Sequence, residues 1–462
     1  MKIVKITITR QFFVQTWRAA SLLCALALTT FAANAQTGMT AQKWVENVKI
    51  GWNLGNTLDT FLEGNEDECD GDPLCYEALW GNPVTTKAMI TALKEAGFNA
   101  IRIPATWHKA ADEDFNIAPE WMARVTQVVD YAVENDMYIV LNSHHDNEIF
   151  KFTEAEKEQS LYAFQKIWEQ IADNFKDYNE KLVFEALNEP RTLGSANEWS
   201  GGTAEEQRVV NEHYQVFVDV VRASGGNNSN KRILLINPYG ANAFDDGMNG
   251  LELPTDVVPN KLIVSFHNYA PYQFCFNPEE YSESTWHRTV YETMYITYPI
   301  ENYFAKFVSN GIPVIIGEFG AHNKNNEAAR ADWADFYVKY AAYRGIKCFW
   351  WDNGLATTTE NEELFGLFDR NNLTFYFPEI ASALFGTYSV TAVETWRAAS
   401  LQVYPNPTTG IVNTSEPSEI QVYNSFGALI ITTFGTQVDL SNFANGVYFI
   451  QANGKRTTVV KK

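Results

Sequence analysis

Eight short apolar runs, separated by amphipathic stretches, constrain what this chain can fold into more than any other feature. They are VKIGWNLG (48–55), FNAIRIP (98–104), MYIVLNSH (137–144), LVFEALNE (182–189), RILLINP (232–238), KLIVSFHNY (261–269), IPVIIGEF (312–319) and IKCFWWD (346–352). Their apolar residues are nearly continuous, as a parallel sheet covered on both faces requires. The intervening stretches have a helical period. In PEWMARVTQVVDYAVEND (119–136), Trp121, Val125, Val128, Val129 and Ala132 recur at three- and four-residue steps, and TTKAMITALKEAG (85–97) is similarly amphipathic. Eight strand–helix repeats predict a closed (β/α)8 barrel. A doubly wound open sheet is the alternative, weakened because no Gly-rich dinucleotide fingerprint follows the first run.

The chain has 462 residues, more than one barrel of ~250 residues uses, and both ends differ in character from the middle. Lys2, Lys5, Arg10 and Arg18 precede an apolar stretch from residue 19 to 28, which leads to Ala33-Asn34-Ala35. That order predicts a signal peptide over 1–35, cut after Ala35. The apolar stretch is too short for a membrane span, and Cys24 lies inside it rather than at a lipid-anchor site. The barrel is expected over 36–388 and a connector over 389–400. The alternating pattern with turn residues in 401–462 predicts a small antiparallel β-sandwich. TWRAASL occurs at 16–22 and again at 395–401, a repeat with no physical account. Of the cysteines left after cleavage, Cys69 and Cys75 could close a small loop. Cys275 and Cys348 could pair or stay free.

The formal charge of −21 repels nucleic acid and anionic membranes, and argues against nucleic acid as a partner. The 13 Trp, 22 Tyr and 30 Phe exceed what a core usually needs. Exposed aromatics are one way to grip sugars, although most will simply pack.

A parallel barrel presents its chemistry at the C-terminal ends of its strands. The second to eighth runs, the fifth excepted, end there in Arg102, His144 with His145, Asn188 with Glu189, His267 with Tyr269, Glu318, and Trp351. Glu189 and Glu318 terminate strands four and seven, which a closed barrel brings face to face. Two carboxyls flanking a sugar linkage are what glycoside hydrolysis needs: about 5–5.5 Å apart for retention, roughly 6.5–9.5 Å for inversion. Glu185 is mid-strand and reads as a structural group paired with a buried cation. His144-His145-Asp146 invites a metal reading, but neighbours on a strand point to opposite faces and no third ligand is evident, so no metal is expected. Trp351, before Asp352-Asn353-Gly354, fits a sugar-stacking floor. Trp52, Trp80, Trp107 and Trp199 are further candidate cleft aromatics.

These residues resemble glycoside hydrolase family 5, and within it subfamily 4, over about residues 40–387. The likeness is carried by GWNLGNTLD (51–59, containing Asn53), LWGNP (79–83), GFNAIRIPATW (97–107), LNSHHD (141–146), FEALNEPR (184–191), FHNYAPY (266–272), VIIGEFGA (314–321) and WWDNG (350–354). The resemblance implies a retaining endo-β-1,4-glucanase with no cofactor, acting as a monomer on a β-glucan. Xyloglucan, xylan or mixed-linkage glucan are alternative substrates, and a glycan-binding protein without catalysis is the alternative of another class. It implies Glu189 as general acid/base and Glu318 as nucleophile. Arg102 and Tyr269 would orient Glu318, with Asn53 supporting; Asn188 would bind the sugar 2-hydroxyl. His267 would set the protonation of Glu189, His144 and His145 would line the glycone side, and Trp351 would be the floor. The main departure from the family pattern is EGNEDECDGDPLCYEALW (63–80), whose cysteines and acidic run bear on the cleft rim.

The tail resembles the C-terminal sorting domain of the type IX secretion system, through VYPNP (403–407), VYNSFG (422–427), NGVYFI (445–450) and KRTTVVKK (455–462). That implies export across an outer membrane by the type IX machinery, to the medium or the cell surface. An ordinary carbohydrate-binding sandwich is the alternative for this segment.

Overall fold

The computed structural model describes residues 38–61, 69–277, 282–357, 363–386, 403–424, 428–452 and 455–462. The expected signal peptide, the connector and both copies of TWRAASL lie outside the described residues.

All eight apolar runs form strands: β1 Gly51–Leu54, β2 Ala100–Ile103, β3 Tyr138–Asn142, β4 Leu182–Glu185, β5 Ile233–Ile236, β6 Leu262–His267, β7 Val314–Phe319 and β8 Lys347–Asp352. They pair in chain order, all parallel, and β8 closes onto β1 with Asn53 opposite Trp351. Helices join them, among them Pro119–Glu134, whose predicted stripe of Trp121, Val125, Val128, Val129 and Ala132 is buried.

Because side chains alternate along a strand, every second residue enters the barrel. Ala100, Val140, Val183, Ile233, Leu235, Ile263, Ile315 and Phe349 form one inner apolar cluster. It is completed by Trp44, Val45 and Val48 at the helix Ala41–Asn47, which covers the N-terminal end of the barrel. The other set, including Trp52, Ile101, Leu141, Phe184, Phe266 and Ile316, packs outward against the helices. Two residues beyond the inner apolar layer, the same alternation brings in polar groups: Asn53 beside Arg102, Asn142 beside Glu185, and Trp351 beside Asn53. A dry base therefore carries a polar layer directly under the mouth.

Strand β7 breaks the alternation. Its pairing with β6 runs Phe266 to Ile316 and then His267 to Glu318; its pairing with β8 runs Cys348 to Ile316 and then Trp350 to Phe319. One extra residue is accommodated on β7 against both neighbours, a bulge that re-aims the side chains after it. A Cβ on Gly317 would lie 2.6 Å from Ser265 Oγ and 3.1 Å from His267 Nε2. Glycine is what lets the bulge lie this close to β6.

After β8 a short ribbon pairs Phe368–Asp369 (β9) with Thr374–Phe375 (β10), and the helix Pro378–Gly386 ends the barrel segment. The tail strands β11 Val403–Tyr404, β12 Ile411–Tyr423, β13 Leu429–Asp439, β14 Gly446–Ala452 and β15 Lys455–Lys461 pair antiparallel, as expected. All five belong to one hydrogen-bonded sheet rather than to the two sheets expected of a sandwich, because β12 pairs with β11, β13 and β14, and Thr408 bridges Lys461. Val412, Ile420, Val422, Ile450 and Val459 form its own core. Cys69 and Cys75 form a disulfide, whereas Cys275 and Cys348 are free and buried.

Candidate active site

Arg102 organises the polar layer. It is fully buried, and every guanidinium N–H has an acceptor. Nε and Nη2 donate to the two oxygens of Glu185, at 2.6 and 3.1 Å. Nη1 donates to Glu318 Oε1 at 2.7 Å and Asn53 Oδ1 at 3.0 Å. Nη2 also donates to Asn188 Oδ1 at 2.6 Å. Burial alone would lower its pKa, but the charges of Glu185 and Glu318 outweigh that and raise it. Glu185, which proves to be the last residue of β4 rather than a mid-strand one, thus finds the buried cation expected of it. Asn53 is in turn fixed by donating to the carbonyls of Gly317, Phe349 and Trp350.

Above this layer the two glutamates converge, Glu318 from the end of β7 and Glu189 from the loop that follows β4, since that strand stops at Glu185 and does not run on to Glu189 as expected. Tyr269 donates its hydroxyl to Glu318 Oε2 at 2.8 Å, so both oxygens of Glu318 are held. His267 Nδ1 is 2.8 Å from Glu189 Oε1 and 3.6 Å from Glu318 Oε2. One ligating atom each from Glu189, His267 and Glu318 lies within 4.8 Å of the others. Burial pushes the Glu189 carboxyl up, but the hydrogen bond and charge of His267, with Arg191, win and hold it at about 2. Asn188, its oxygen committed to Arg102, has its NH2 left to donate.

These groups open into a cavity of about 1550 Å³, lined also by His144, His145, Trp80, Trp199 and Trp351. The His144 ring stacks parallel to Trp351, at 2° and 5.7 Å. Burial lowers both histidines, His144 well below the usual range and His145 to about 4, so both are neutral near neutral pH. Trp199 is 58% exposed, with the Arg191 guanidinium 4.2 Å over its ring.

Two candidate cleft aromatics lie elsewhere. Trp52 alternates with inward Asn53 and so faces outward, donating Nε1 to Asp352 Oδ2 at 2.9 Å. Trp107 is wholly buried, its Nε1 satisfied by the Asn142 carbonyl at 2.9 Å. The separation expected of His144 and His145 also fails. β3 ends at Asn142, so strand alternation does not govern them, and their rings meet edge to face at 4.4 Å. Asp59 joins them as the third ligand type that the sequence did not disclose, ligating atoms of all three lying within 4.8 Å. Both Asp59 oxygens already accept backbone N–H groups, from Asn56 and Thr57, and Asn142 faces His144 Nδ1.

Sequence reasoning passed over two residues. Asn237, just past β5, donates to Glu185 Oε1 and to the carbonyls of Leu187 and Asn188. The fifth strand therefore also ends in a working polar group, and an Asn directly after an apolar run was its signal. Arg191 donates to the Glu189 carbonyl at 3.0 Å and lies 3.4 Å from Glu189 Oε2; it is the last letter of FEALNEPR.

A closed parallel barrel with two glutamates converging over a buried arginine is the architecture of a glycoside hydrolase. The profile described as cellulase (glycosyl hydrolase family 5) matches residues 62–357, and the chain belongs to that family. Residues 402–462 match the secretion system C-terminal sorting domain. Endoglucanase A of Clostridium longisporum is 40% identical over 348 residues, 75% of this chain and 66% of that protein. The cellulase/esterase CelE of Acetivibrio thermocellus is 42% identical over 342 residues, 74% of this chain and 39% of that protein. The chain thus spans under two thirds of the length of these two relatives. Among solved structures, a GH5-4 broad specificity endoglucanase from Ruminococcus champanellensis with bound cellotriose aligns at TM-score 0.71 and 40% identity. That alignment covers 76% of this chain and 100% of that one.

Proposed function

We propose that this protein is an exported, retaining endo-β-1,4-glucanase. The observation that carries the reading is the spacing of the two glutamates. A carboxylate oxygen of Glu189 and one of Glu318 lie within 4.8 Å, near the ~5–5.5 Å of retaining enzymes and well under the roughly 6.5–9.5 Å that leaves room for an intervening water.

In the first step Glu318 Oε attacks the anomeric carbon while Glu189 gives its proton to the departing glycosidic oxygen, forming a glycosyl ester on Glu318. In the second, Glu189 takes a proton from water, which displaces Glu318 and returns the sugar with its original configuration. Glu189 must therefore carry a proton at the start, although His267 and Arg191 hold it ionised in the open cleft. A bound sugar chain excludes water and strengthens the burial that already pushes this carboxyl up, drawing a proton onto it as the complex forms. The Asn188 NH2 is free for the 2-hydroxyl beside the broken bond, and Trp351 offers an apolar face to the ring. Unbranched β-1,4-glucan is the substrate this reading favours, supported by the cellotriose bound in the solved relative; xyloglucan, xylan and mixed-linkage glucan are the alternatives, similar solved structures including a lichenase and a xyloglucan-specific endo-β-1,4-glucanase. The sorting-domain match supports export by type IX machinery to the medium or cell surface.

Incubation with carboxymethylcellulose, xyloglucan and lichenan should release new reducing ends, the first product carrying the β configuration by NMR. Glu318→Gln should abolish release, and Glu318→Gly with azide should yield the α-glycosyl azide. A glycan-binding protein without catalysis would release none, and undiminished activity in Glu318→Gln would overturn the assignment.

A further inference from the structure

β6 reads LIVSFH, and one hydroxyl interrupts its apolar run. Ser265 shares the inward parity of His267 and of Ile263, a member of the inner apolar cluster. It is fully buried. A buried hydroxyl is costly unless it is hydrogen-bonded, yet Ser265 Oγ has no partner among the described residues. His267 Nε2, two residues on, has none either. Two such atoms on one face of one strand call for an explanation, and they border the same gap. The point where Gly317 would carry a Cβ lies 2.6 Å from Ser265 Oγ and 3.1 Å from His267 Nε2. A side chain at 317 would crowd both; glycine leaves them to each other. The second ring nitrogen fixes which hydrogen His267 carries. Nδ1 is 2.8 Å from Glu189 Oε1 and 3.6 Å from Glu318 Oε2. An ionised carboxylate can only accept, so Nδ1 carries the hydrogen, and Nε2 of the neutral ring presents a lone pair. The opposite tautomer would turn a bare Nδ1 toward Glu189 and bind the proton that Glu189 must give to the departing oxygen.

We propose that Ser265 is a positioning residue for proton transfer: across the gap at Gly317 its hydroxyl serves His267 Nε2 and holds the imidazole in the form that donates from Nδ1 to Glu189. The inference rests on the glucanase reading. A hydroxyl suits this place because it can give a hydrogen to the bare Nε2 of a neutral ring and accept one from the Nε2–H of a charged ring, directly or through one water. Ser265 is not among the residues that line the cleft, so it acts only through His267.

Aryl β-cellobiosides separate help from the acid from the rest of catalysis, because 2,4-dinitrophenolate departs without a proton and phenolate needs one. With both substrates kcat/KM would be measured for the full chain as wild type, Ser265→Ala, His267→Gln and the double variant. Ser265→Ala should lower kcat/KM about tenfold on the phenyl glycoside and leave the dinitrophenyl glycoside within about twofold, since only the first step of the former draws on the acid. In the His267→Gln background the same change should do nothing further, because the residue it acts through is gone. Ser265→Ala removes a single buried oxygen, and thermal denaturation checks that the fold is kept. Equal losses on both glycosides would make Ser265 a structural residue only and overturn the proposal. So would no loss on either, or an undiminished loss in the absence of His267. Failure of the glucanase reading would appear separately, as a wild-type protein that releases neither phenol nor reducing ends.

Discussion

Arg102 shows how much one residue can hold at this site. Its five N–H groups meet two carboxylates and two amide oxygens, so its work depends on a planar fork and not on charge alone. Arg102→Lys keeps the charge, but an ammonium with three donors cannot span Glu185 and Glu318 while also fixing Asn53 and Asn188. We expect kcat/KM on soluble glucan to fall by about 10²-fold or more, since small displacements of reacting groups are costly. Arg102→Met leaves two buried carboxylates without their cation and should cost about 3–5 kcal/mol by chemical denaturation. A lysine variant with near-wild-type kinetics would mean that the charge suffices. At this scale the sequence was legible where alternation applied. Arg102, Glu185 and Asn53 share the inward parity, and the same rule turns Trp52 outward. It was not legible just past a strand end, where His144 and His145 escape alternation and meet a buried Asp59 from a loop some 85 residues away in the chain.

Among the elements, the strands were readable because a sheet covered on both faces needs apolar runs that little else in the chain provides. The bulge in β7 was not readable, since VIIGEF has the same composition whether its pairing is regular or shifted. That shift is what brings both Gly317 and Glu318 to the inner side, and it depends on a missing side chain. Gly317→Ala would place a methyl 2.6 Å from Ser265 Oγ and 3.1 Å from His267 Nε2, so β6 or the bulge must move. Overpacking of this kind should cost about 1–3 kcal/mol. Adding Ser265→Ala removes the nearer obstacle and should restore part of that stability. Activity should stay low in the double variant, because the methyl still presses on the imidazole that contacts Glu189. Thermal denaturation and kcat of the two single variants and the double variant form a cycle. Full recovery of both quantities together would show that the bulge does not position His267.

Over the whole molecule, two separate cores predict two melting events. The tail cluster around Val412, Ile420 and Ile450 contains no barrel residue, so calorimetry should resolve a barrel transition and a tail transition. Acid should move them unequally. All 7 histidines lie between His108 and His322, and none is in the tail. Burial pushes His145, His213 and His322 down to about 4, whereas an unfolded histidine titrates near ~6.5. Between those values the unfolded chain binds protons that the folded barrel refuses. Barrel stability is therefore complete above about pH 6.5 and is lost as pH falls toward 4. His213 is the cleanest probe, because it is far from the glutamates in the chain and its ring nitrogens are occupied by Ser160 Oγ and the Val209 carbonyl, each at 2.8 Å. His213→Gln should remove up to about 1.4 kcal/mol per pH unit from the acid slope of barrel stability, the linkage value for one proton, and leave the tail transition unmoved. Barrel and tail melting in one transition, or shifting in parallel with pH, would show that the two cores do not unfold independently.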